Sequence, residues 1–271
     1  MTPLAIKKGR TVINDSLARF VSLGLTGEAP MTRAHVFSMD GGYCPRRAGL
    51  FMHVTGTMPR DAASEFYFGI GNAIHRAVMK GLTAAGVVLA EEWGVKDESI
   101  NLVGYVDAIV KLDGNAQVLE IKSCGTKLPD RPKSDHECQA ITYSIETGLP
   151  DPIILYVSRQ VASFDGKLLM QQFTIDNYGE KLKAVAKRLA ISHLCAKAKV
   201  LAPVPKHIRS ERNCGFCPFK DMCWHGNPFP LSESSLGARK GIMDEAAIMA
   251  TELLERMPER AKTFETMAPK A

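Results

Sequence analysis

Two pairs of strand-like segments, each joined by an Asp-Gly dipeptide, constrain the fold of this chain most strongly. The first pair covers 102–110 and 117–124 around Asp113-Gly114, and the second covers 152–158 and 168–175 around Asp165-Gly166. Asp-Gly between such segments is a strong hairpin signal. Helical apolar spacing precedes, separates and follows these pairs, at 62–82, 134–148 and 177–201. This order predicts an α/β fold with a mixed central sheet flanked by helices.

Length and composition are those of a folded protein with a substantial core. The chain has 271 residues, of which 45% are hydrophobic and 23% are charged, and this excludes a disordered tail or a fibre. Its first ten residues contain no apolar export segment, and the longest aliphatic run, near 84–90, is too short to cross a bilayer. The sequence therefore predicts a cytoplasmic protein that does not associate with membranes.

The first hairpin carries two acids and a lysine. Strand alternation places Asp107 on the same face as Ile109, and it places Glu120 and Lys122 together on the partner strand. Phosphodiester hydrolysis needs an activated water and stabilisation of charge on phosphorus, and carboxylate-held divalent metals supply both. An acid-x-lysine triplet also occurs on ordinary solvated strands, so its context decides the interpretation.

That context contains two helices with polar side chains at regular spacing. Gln139 and Tyr143 lie four apart and share a face of the helix after the hairpin, whose start at Ser134 and Glu137 has the spacing of a capping box. An upstream helix contains Gly71-x-x-x-His75. Taken alone, each would be an ordinary half-buried face or a surface histidine.

Four of the seven cysteines form a candidate metal-binding set. Cys214-x-x-Cys217 and Cys223 lie in a short, turn-rich segment, and three thiolates require a fourth partner. Cys44, followed by Pro45-Arg46-Arg47, is the candidate. Four thiolates can hold an iron–sulfur cluster or zinc, and spacing does not separate the two. The remaining cysteines, Cys124, Cys138 and Cys195, are predicted to be packing residues.

Together these motifs resemble the RecB-like branch of the PD-(D/E)xK nucleases. Gly71-x-x-x-His75, Gly104-x-x-Asp107, Glu120-x-Lys122 and Gln139-x-x-x-Tyr143 follow the order of that branch. The isolated Cys44 with its three downstream partners is similar to the iron–sulfur members, namely the AddB nuclease domain and the CRISPR-associated RecB-like exonucleases. The resemblance covers roughly residues 40–226 and implies a restriction-endonuclease-like core with an iron–sulfur subdomain.

The resemblance also implies a role for each motif residue. His75, Asp107, Glu120 and the Ile121 backbone carbonyl would bind Mg²⁺ or Mn²⁺, with Asp107, Glu120 and Lys122 as the catalytic residues. Gln139 and Tyr143 would support the site and contact substrate. Cys44, Cys214, Cys217 and Cys223 would hold a [4Fe–4S] cluster, with zinc as the alternative occupant.

The activity implied by this resemblance is exonucleolytic. It is metal-dependent, two-metal hydrolysis of single-stranded DNA ends in the 5′-to-3′ direction. The setting would be phage or host recombination, DNA repair or CRISPR spacer processing, with recombination or CRISPR adaptation proteins as further partners besides DNA. Two alternatives remain open: a DNA-binding subunit with secondary or no nuclease activity, and a zinc-stabilised interaction protein.

Positive charge is concentrated in one part of the chain. The net charge is +5, but ten lysines and arginines between 181 and 220 face a single acid, Glu211. This segment is either a track for DNA phosphates or a solvated helix face. Aromatic residues near the cysteines are candidates for base stacking, with core packing as the alternative; they are Tyr43, Phe216, Phe219 and Trp224.

Three regions are predicted along the chain. Residues 1–40 form an N-terminal helical extension with a helix near 10–25, and residues 41–226 form the nuclease core closed by the four cysteines. Residues 227–271 form a connector and a C-terminal amphipathic helix at about 243–257, which is expected to be a docking or surface helix.

Overall fold

The computed structural model describes residues 27–30, 36–54, 57–60, 62–161, 168–205, 214–215, 217–225 and 236–267. The helix predicted near 10–25, the Asp165-Gly166 turn and Phe216 lie outside these residues. Among the described residues, no helix has both the length and the apolar character needed to cross a membrane.

The described residues contain eight strands and eight α-helices. The strands are β1 (Gly27–Pro30), β2 (Val36–Phe37), β3 (Thr57–Arg60), β4 (Val88–Asp97), β5 (Leu102–Leu112), β6 (Asn115–Cys124), β7 (Ile153–Val161) and β8 (Leu168–Phe173). The helices are α1 (Ser38–Gly41), α2 (Pro45–His53), α3 (Ala62–Ala84), α4 (Ser134–Thr147), α5 (Tyr178–Lys197), α6 (Lys220–His225), α7 (Leu236–Glu255) and α8 (Met257–Met267).

The central sheet is mixed, as the sequence predicts. Its order is β2-β5-β6-β7-β8, with β4 also paired to β5. Strands β4, β5 and β6 are antiparallel neighbours, while β7 runs parallel to β6 after the crossover through α4. The α/β fold with a mixed sheet and flanking helices is therefore confirmed.

Strand β5 changes partner along one of its edges. Strand β4 pairs with β5 from Leu102 to Val110, so β2 and β6 must share the opposite edge. On that edge β6 pairs only from Ala108 to Leu112, and β2 pairs only at Leu102 and Val103. Among the described strands, residues 104–107 therefore have no ladder partner on this edge.

Helices cover the sheet on both faces. Helix α3 places Val78 and Met79 against Ala108, Leu119 and Ile121. Helix α4 covers the opposite face, α5 packs against α4, and α7 packs against α5. Residues of these three helices and of the sheet form the largest apolar cluster of the described residues. Functional side chains from α3 and α4 can therefore meet only where the sheet between them opens.

Residues on either side of the predicted boundary at position 40 belong to the same fold. Strand β1 pairs antiparallel with β3, and β2 adds a short parallel edge to β5.

The predicted capping box is absent, because Lys133 is the N-cap of α4 and no side chain caps it. Ser134 is already the first helical residue, which is one position too late for the motif.

The C-terminal region differs from the predicted single helix at 243–257. It forms the two helices α7 and α8, and Pro258 gives the reason, since a proline cannot continue a preceding helix. Both helices pack on the core, with Leu253 and Phe264 buried. The Arg260 guanidinium donates to the Ile145 carbonyl and to the buried Asp97 carboxylate.

At Gly148 the backbone of α8 passes close to the end of α4. It ends α4 in the left-handed conformation, with φ of 74°. A β-carbon at this position would overlap the Met257 carbonyl and the Ala261 backbone nitrogen. The position therefore requires glycine for two independent reasons.

We expect Gly148→Ala to lower the free energy of unfolding by at least about 2 kcal/mol. The left-handed backbone alone costs about 1–2 kcal/mol for a residue with a β-carbon, and the overlap with α8 adds to it. Urea unfolding measures the effect. Gly81→Ala is the control, because a β-carbon there meets nothing in α3 and should be neutral or stabilising. Equal stability of the two variants would contradict the prediction.

Candidate active site and cysteine pocket

Three of the predicted metal-site residues meet at the opening between β5 and β6. The Asp107 carboxylate accepts a hydrogen bond from the Ile121 backbone N–H at 2.7 Å. His75 Nε2 lies 3.0 Å from Asp107 Oδ2 and 3.2 Å from the Ile121 carbonyl oxygen. A carboxylate thus takes the place of a ladder carbonyl, and an imidazole from α3 reaches both strands.

Apolar residues next to Asp107 pack on both faces of the sheet. Ile109 and Val106 both belong to the apolar cluster around Tyr143, whereas Ala108 packs beneath α3. Opposite Asp107 on β4, Glu92 has a left-handed φ of 46°. The β4–β5 register continues without a shift past Asp107, and the Asp107 carboxylate is directed towards β6, where it accepts from the Ile121 N–H.

The buried Glu120 and the half-buried Lys122 form an ion pair on the face of β6 that α4 covers. Lys122 Nζ lies 2.5 Å from Glu120 Oε1 and donates to Gln139 Oε1 at 2.9 Å. Glu120 is fully buried, and its Oε2 atom has no hydrogen-bond donor among the described residues. The alternation that pairs Glu120 with Lys122 on one face is confirmed.

Gln139 contacts Lys122, and Tyr143 in turn contacts Gln139. Gln139 Nε2 donates to the Tyr143 hydroxyl at 3.2 Å, which leaves the amide oxygen directed at Lys122. The two residues are only 9% and 3% exposed. This burial supports a positioning role and leaves little surface for contact with a macromolecule.

The ionisable groups of the site influence one another strongly. Burial raises the pKa of Glu120 to about 7, against the opposing effect of the Lys122 ammonium, and Asp107 raises it further. Burial would lower the pKa of Lys122, but the Glu120 and Asp107 carboxylates outweigh it and raise the pKa. The hydrogen bond to Asp107 raises the pKa of His75. Lys122 is therefore a cation held among acids.

The donor atoms fit a divalent cation in kind. Within the described residues, no three side chains of His, Cys, Asp or Glu are grouped as a complete metal site. The partial set is nevertheless made of carboxylate, imidazole and carbonyl donors, all of which bind such cations. Glu120 Oε2 would be a further metal ligand, because a buried carboxylate oxygen without a hydrogen-bond donor requires another partner.

His136 is a site neighbour that the sequence reasoning missed. It lies one turn before Gln139 on α4, and its Nδ1 lies 2.7 Å from the Tyr156 hydroxyl. Burial, with the nearby Lys122 charge, lowers the pKa of His136 to about 3, so the imidazole is neutral. Its spacing of three and seven from Gln139 and Tyr143 was the signal that could have identified it.

The four predicted cysteines line one small pocket. Cys44 precedes α2, Cys223 lies on α6, and Cys214 and Cys217 lie just before α6. The edge-to-face rings of Phe51 and Phe219, with centroids 4.8 Å apart, join α2 to this segment. No disulfide joins any of the seven cysteines, all of which are described. Residues 170 positions apart in sequence thus meet at one place.

The four described thiols are not grouped as a complete metal site, but their chemistry suits a thiolate-bound metal. Burial raises the pKa of Cys44 to about 11 and also raises that of Cys217, so both are neutral thiols until a metal displaces their protons. Arg47 and Lys220 also line the pocket and would offset negative charge. Of the remaining cysteines, Cys138 and Cys195 are buried, as expected for packing residues.

The three aromatic candidates near the cysteines that the structure describes are core or partly covered residues. Tyr43 and Phe219 are buried, and Trp224 is half-buried with the Lys220 ammonium 5.5 Å from its ring centroid. The exposed rings of the described residues lie elsewhere, on α3 and β5, and are between 55% and 69% exposed: Phe66, Tyr67, Phe68 and Tyr105.

The basic helix α5 offers fewer available charges than its sequence suggests. Lys181 pairs with Glu137 at 2.6 Å, and Arg188 donates to the Gly42 carbonyl at 2.6 Å. Both side chains therefore connect α5 to neighbouring elements. Lys183, Lys187 and Lys197 are exposed. Lys206, Arg209 and Arg212 lie outside the described residues.

Comparisons with known proteins add little to this geometry. No protein-family model matches the chain, and no curated protein matches its sequence. Among solved structures, the chain is similar to one described as the crystal structure of SSO0001, with a TM-score of 0.40 and 16% sequence identity. That match covers 74% of this chain and 89% of the other. A likeness this remote carries no conclusion about family or function.

We expect Lys122→Met to destabilise the metal-free protein by about 3–5 kcal/mol, because it leaves Glu120 buried and unpaired. Adding Glu120→Gln should recover much of that loss, giving a coupling energy above about 1 kcal/mol in urea unfolding with EDTA. The exposed pair Lys96 and Glu98, with 2.7 Å between its charged atoms, is the matched control and should couple by less than that. Additive effects at 120 and 122 would contradict the buried pair.

Proposed function

We propose that this protein is a metal-dependent DNA exonuclease of the RecB-like PD-(D/E)xK type. The observation that carries the proposal is the convergence of His75, Asp107 and Ile121 beside the buried Glu120–Lys122 pair. Structural proteins rarely retain a fully buried carboxylate with an uncompensated oxygen, because it costs stability. Such an arrangement is typical of a site that binds a cation and substrate.

The first part of the proposal concerns the divalent metal. His75, Asp107, Glu120 and the Ile121 carbonyl would hold Mg²⁺ or Mn²⁺. When bound, these ions activate water and neutralise charge on a phosphate during two-metal hydrolysis. The Ile121 N–H and His75 orient the Asp107 carboxylate, so this ligand is held in position before any cation binds.

Lys122 is the residue that would act on the scissile phosphate. Its ammonium is held by Glu120 and Gln139 and remains protonated, so it can donate to a phosphate oxygen or orient the attacking water. Tyr143 fixes the Gln139 amide, and this positions Lys122 without contact with DNA. The neutral His136 lies near Lys122 and adds no competing charge.

The sheet arrangement supports a restriction-endonuclease-like core. The β5–β6 hairpin supplies Asp107, Glu120 and Lys122, and the α4 crossover to parallel β7 supplies Gln139. The substrate proposed for this site is a single-stranded DNA end, degraded in the 5′-to-3′ direction during recombination, repair or CRISPR spacer processing.

The four-cysteine pocket completes the proposal. Cys44, Cys214, Cys217 and Cys223 would hold a [4Fe–4S] cluster, and its contribution would be structural, tying α2 to the 214–225 segment. Arg47, which also contacts Asp40 at 2.8 Å, would place positive charge beside the thiolates.

We expect anaerobically purified protein to degrade end-labelled DNA when Mn²⁺ is added, with single strands preferred. Lys122→Met should reduce cleavage by roughly 10²–10³-fold, the usual cost of removing a charge-stabilising donor. Lys111→Met, which changes an exposed lysine of β5, is the matched control and should cleave like the parent protein. Comparison of 5′-labelled with 3′-labelled strands reports polarity. Cleavage that persists in Lys122→Met, or is absent from the parent protein, would refute the proposal.

We expect serine substitution at any of the four pocket cysteines to abolish the broad visible absorption near 400 nm that is typical of iron–sulfur proteins. Cys124→Ser is the matched control, because Cys124 is half-buried on β6 and does not line the pocket. It should retain the absorption. A colourless parent protein that contains zinc would replace the cluster with a zinc site and leave the nuclease proposal intact.

A further inference from the structure

The exposed aromatic rings of the described chain are confined to the two elements that carry His75 and Asp107. Phe66, Tyr67 and Phe68 occupy the N-terminal half of α3, where the buried residues, Val78 and Met79, belong to the other half. Tyr105 precedes Asp107 by two residues on β5. Consecutive exposed rings carry a hydration cost that most surface helices avoid, so a ligand is the expected reason for them.

Helix α3 follows the end of β6 turn by turn. His75 contacts the Ile121 carbonyl, and one turn earlier a β-carbon on Gly71 would meet Ser123 Oγ at 3.5 Å. One turn earlier again, the Tyr67 ring lies 4.6 Å from the Arg159 guanidinium. Successive turns of α3 therefore lead from the candidate metal site to the aromatic rings.

Arg159 connects the N-terminal half of α3 to the end of β6, because it contacts both Tyr67 and Cys124. Its Nε donates to the Cys124 carbonyl at 2.8 Å, and Cys124 is two residues after Lys122 on β6. The Arg159 residue is exposed, so its guanidinium can contact a ligand. The Phe66 ring meets Tyr67 edge to face at a centroid separation of 6.1 Å.

We propose that Phe66, Tyr67, Phe68 and Arg159, here called the ring platform, bind the bases and backbone of single-stranded DNA next to the active site. Exposed rings stack on any base, and an arginine beside them offers both a cation–π surface and a contact for phosphate. Phe68 lies two helical turns, about 10 Å, from His75 along α3. The platform therefore binds the nucleotides adjacent to the one being cleaved, which deepens the proposed function and rests on it.

The test measures binding of fluorescent oligothymidylate to the full chain in EDTA, where no cleavage occurs. Tyr67→Leu and Phe68→Leu should each weaken binding roughly fivefold or more, whereas Tyr67→Phe should retain it because the ring remains. An abasic strand of the same length should bind the parent protein more weakly than oligothymidylate does. It should bind the leucine variants as well as it binds the parent protein, because it has no bases to stack on the rings. In a plot of the logarithm of the binding constant against the logarithm of salt concentration, Arg159→Gln should make the slope less steep by about 0.7.

Ile248→Ala is the matched control, since Ile248 is an equally exposed apolar residue on α7, in the layer on the other face of the sheet. It should bind like the parent protein, and circular dichroism verifies the fold of every variant. Unchanged binding in both leucine variants would overturn the platform. So would equal binding of abasic and thymidylate strands, or a leucine variant that instead converts a dimer to a monomer in light scattering.

The two proposals fail separately. Ring-dependent binding without metal-dependent cleavage would refute the nuclease and leave the platform. Lys122-dependent cleavage with ring-independent binding would leave the nuclease and refute the platform.

Discussion

The hydrogen bond from the Ile121 N–H to the Asp107 carboxylate is the interaction on which the candidate site depends. It forms only because β6 stops pairing with β5 at Ala108, while β2 begins to pair at Val103. Between these points a side chain replaces the ladder carbonyl, so the backbone donor is satisfied without closing the sheet. The same opening allows His75 from one face and Lys122 from the other to approach a single point.

The helices on the two faces of the sheet contribute different residues to the site. Helix α3 contributes His75, and its apolar residues Val78 and Met79 fix it to the strands. Helix α4 contributes Gln139 and Tyr143, which are too buried to exchange partners and so keep Lys122 in one place. The N-terminal half of α3 instead carries the exposed rings of Phe66, Tyr67 and Phe68, and this contrast separates candidate substrate contacts from supporting residues.

Much of this arrangement could be predicted from the sequence, because it rests on local signals. Hairpin turns and alternation located Glu120 and Lys122, and helical spacing located His75, Gln139 and Tyr143 on their helices. The exchange of β5 partners could not be predicted, since it depends on a two-residue strand with no pattern of its own. The exposed rings of α3 were missed because apolar spacing alone does not reveal where a helix extends beyond its sheet. The break before α8 follows from Pro258, whereas its docking on Gly148 depends on long-range packing.

The cysteine pocket and helix α8 each hold together segments that lie far apart in the sequence, but they do so by different interactions. Helix α2, which follows Cys44, must be held against a segment that lies 170 residues later, and closing so long a loop costs conformational entropy. Phe51 and Phe219 offset part of that cost through packing, and a metal shared by four thiolates would add far more. Helix α8 instead uses Arg260, which bonds to Asp97 and Ile145 and needs no metal. Loss of the metal proposed for this pocket should therefore loosen α2 and the 214–225 segment while leaving α8 and the sheet in place.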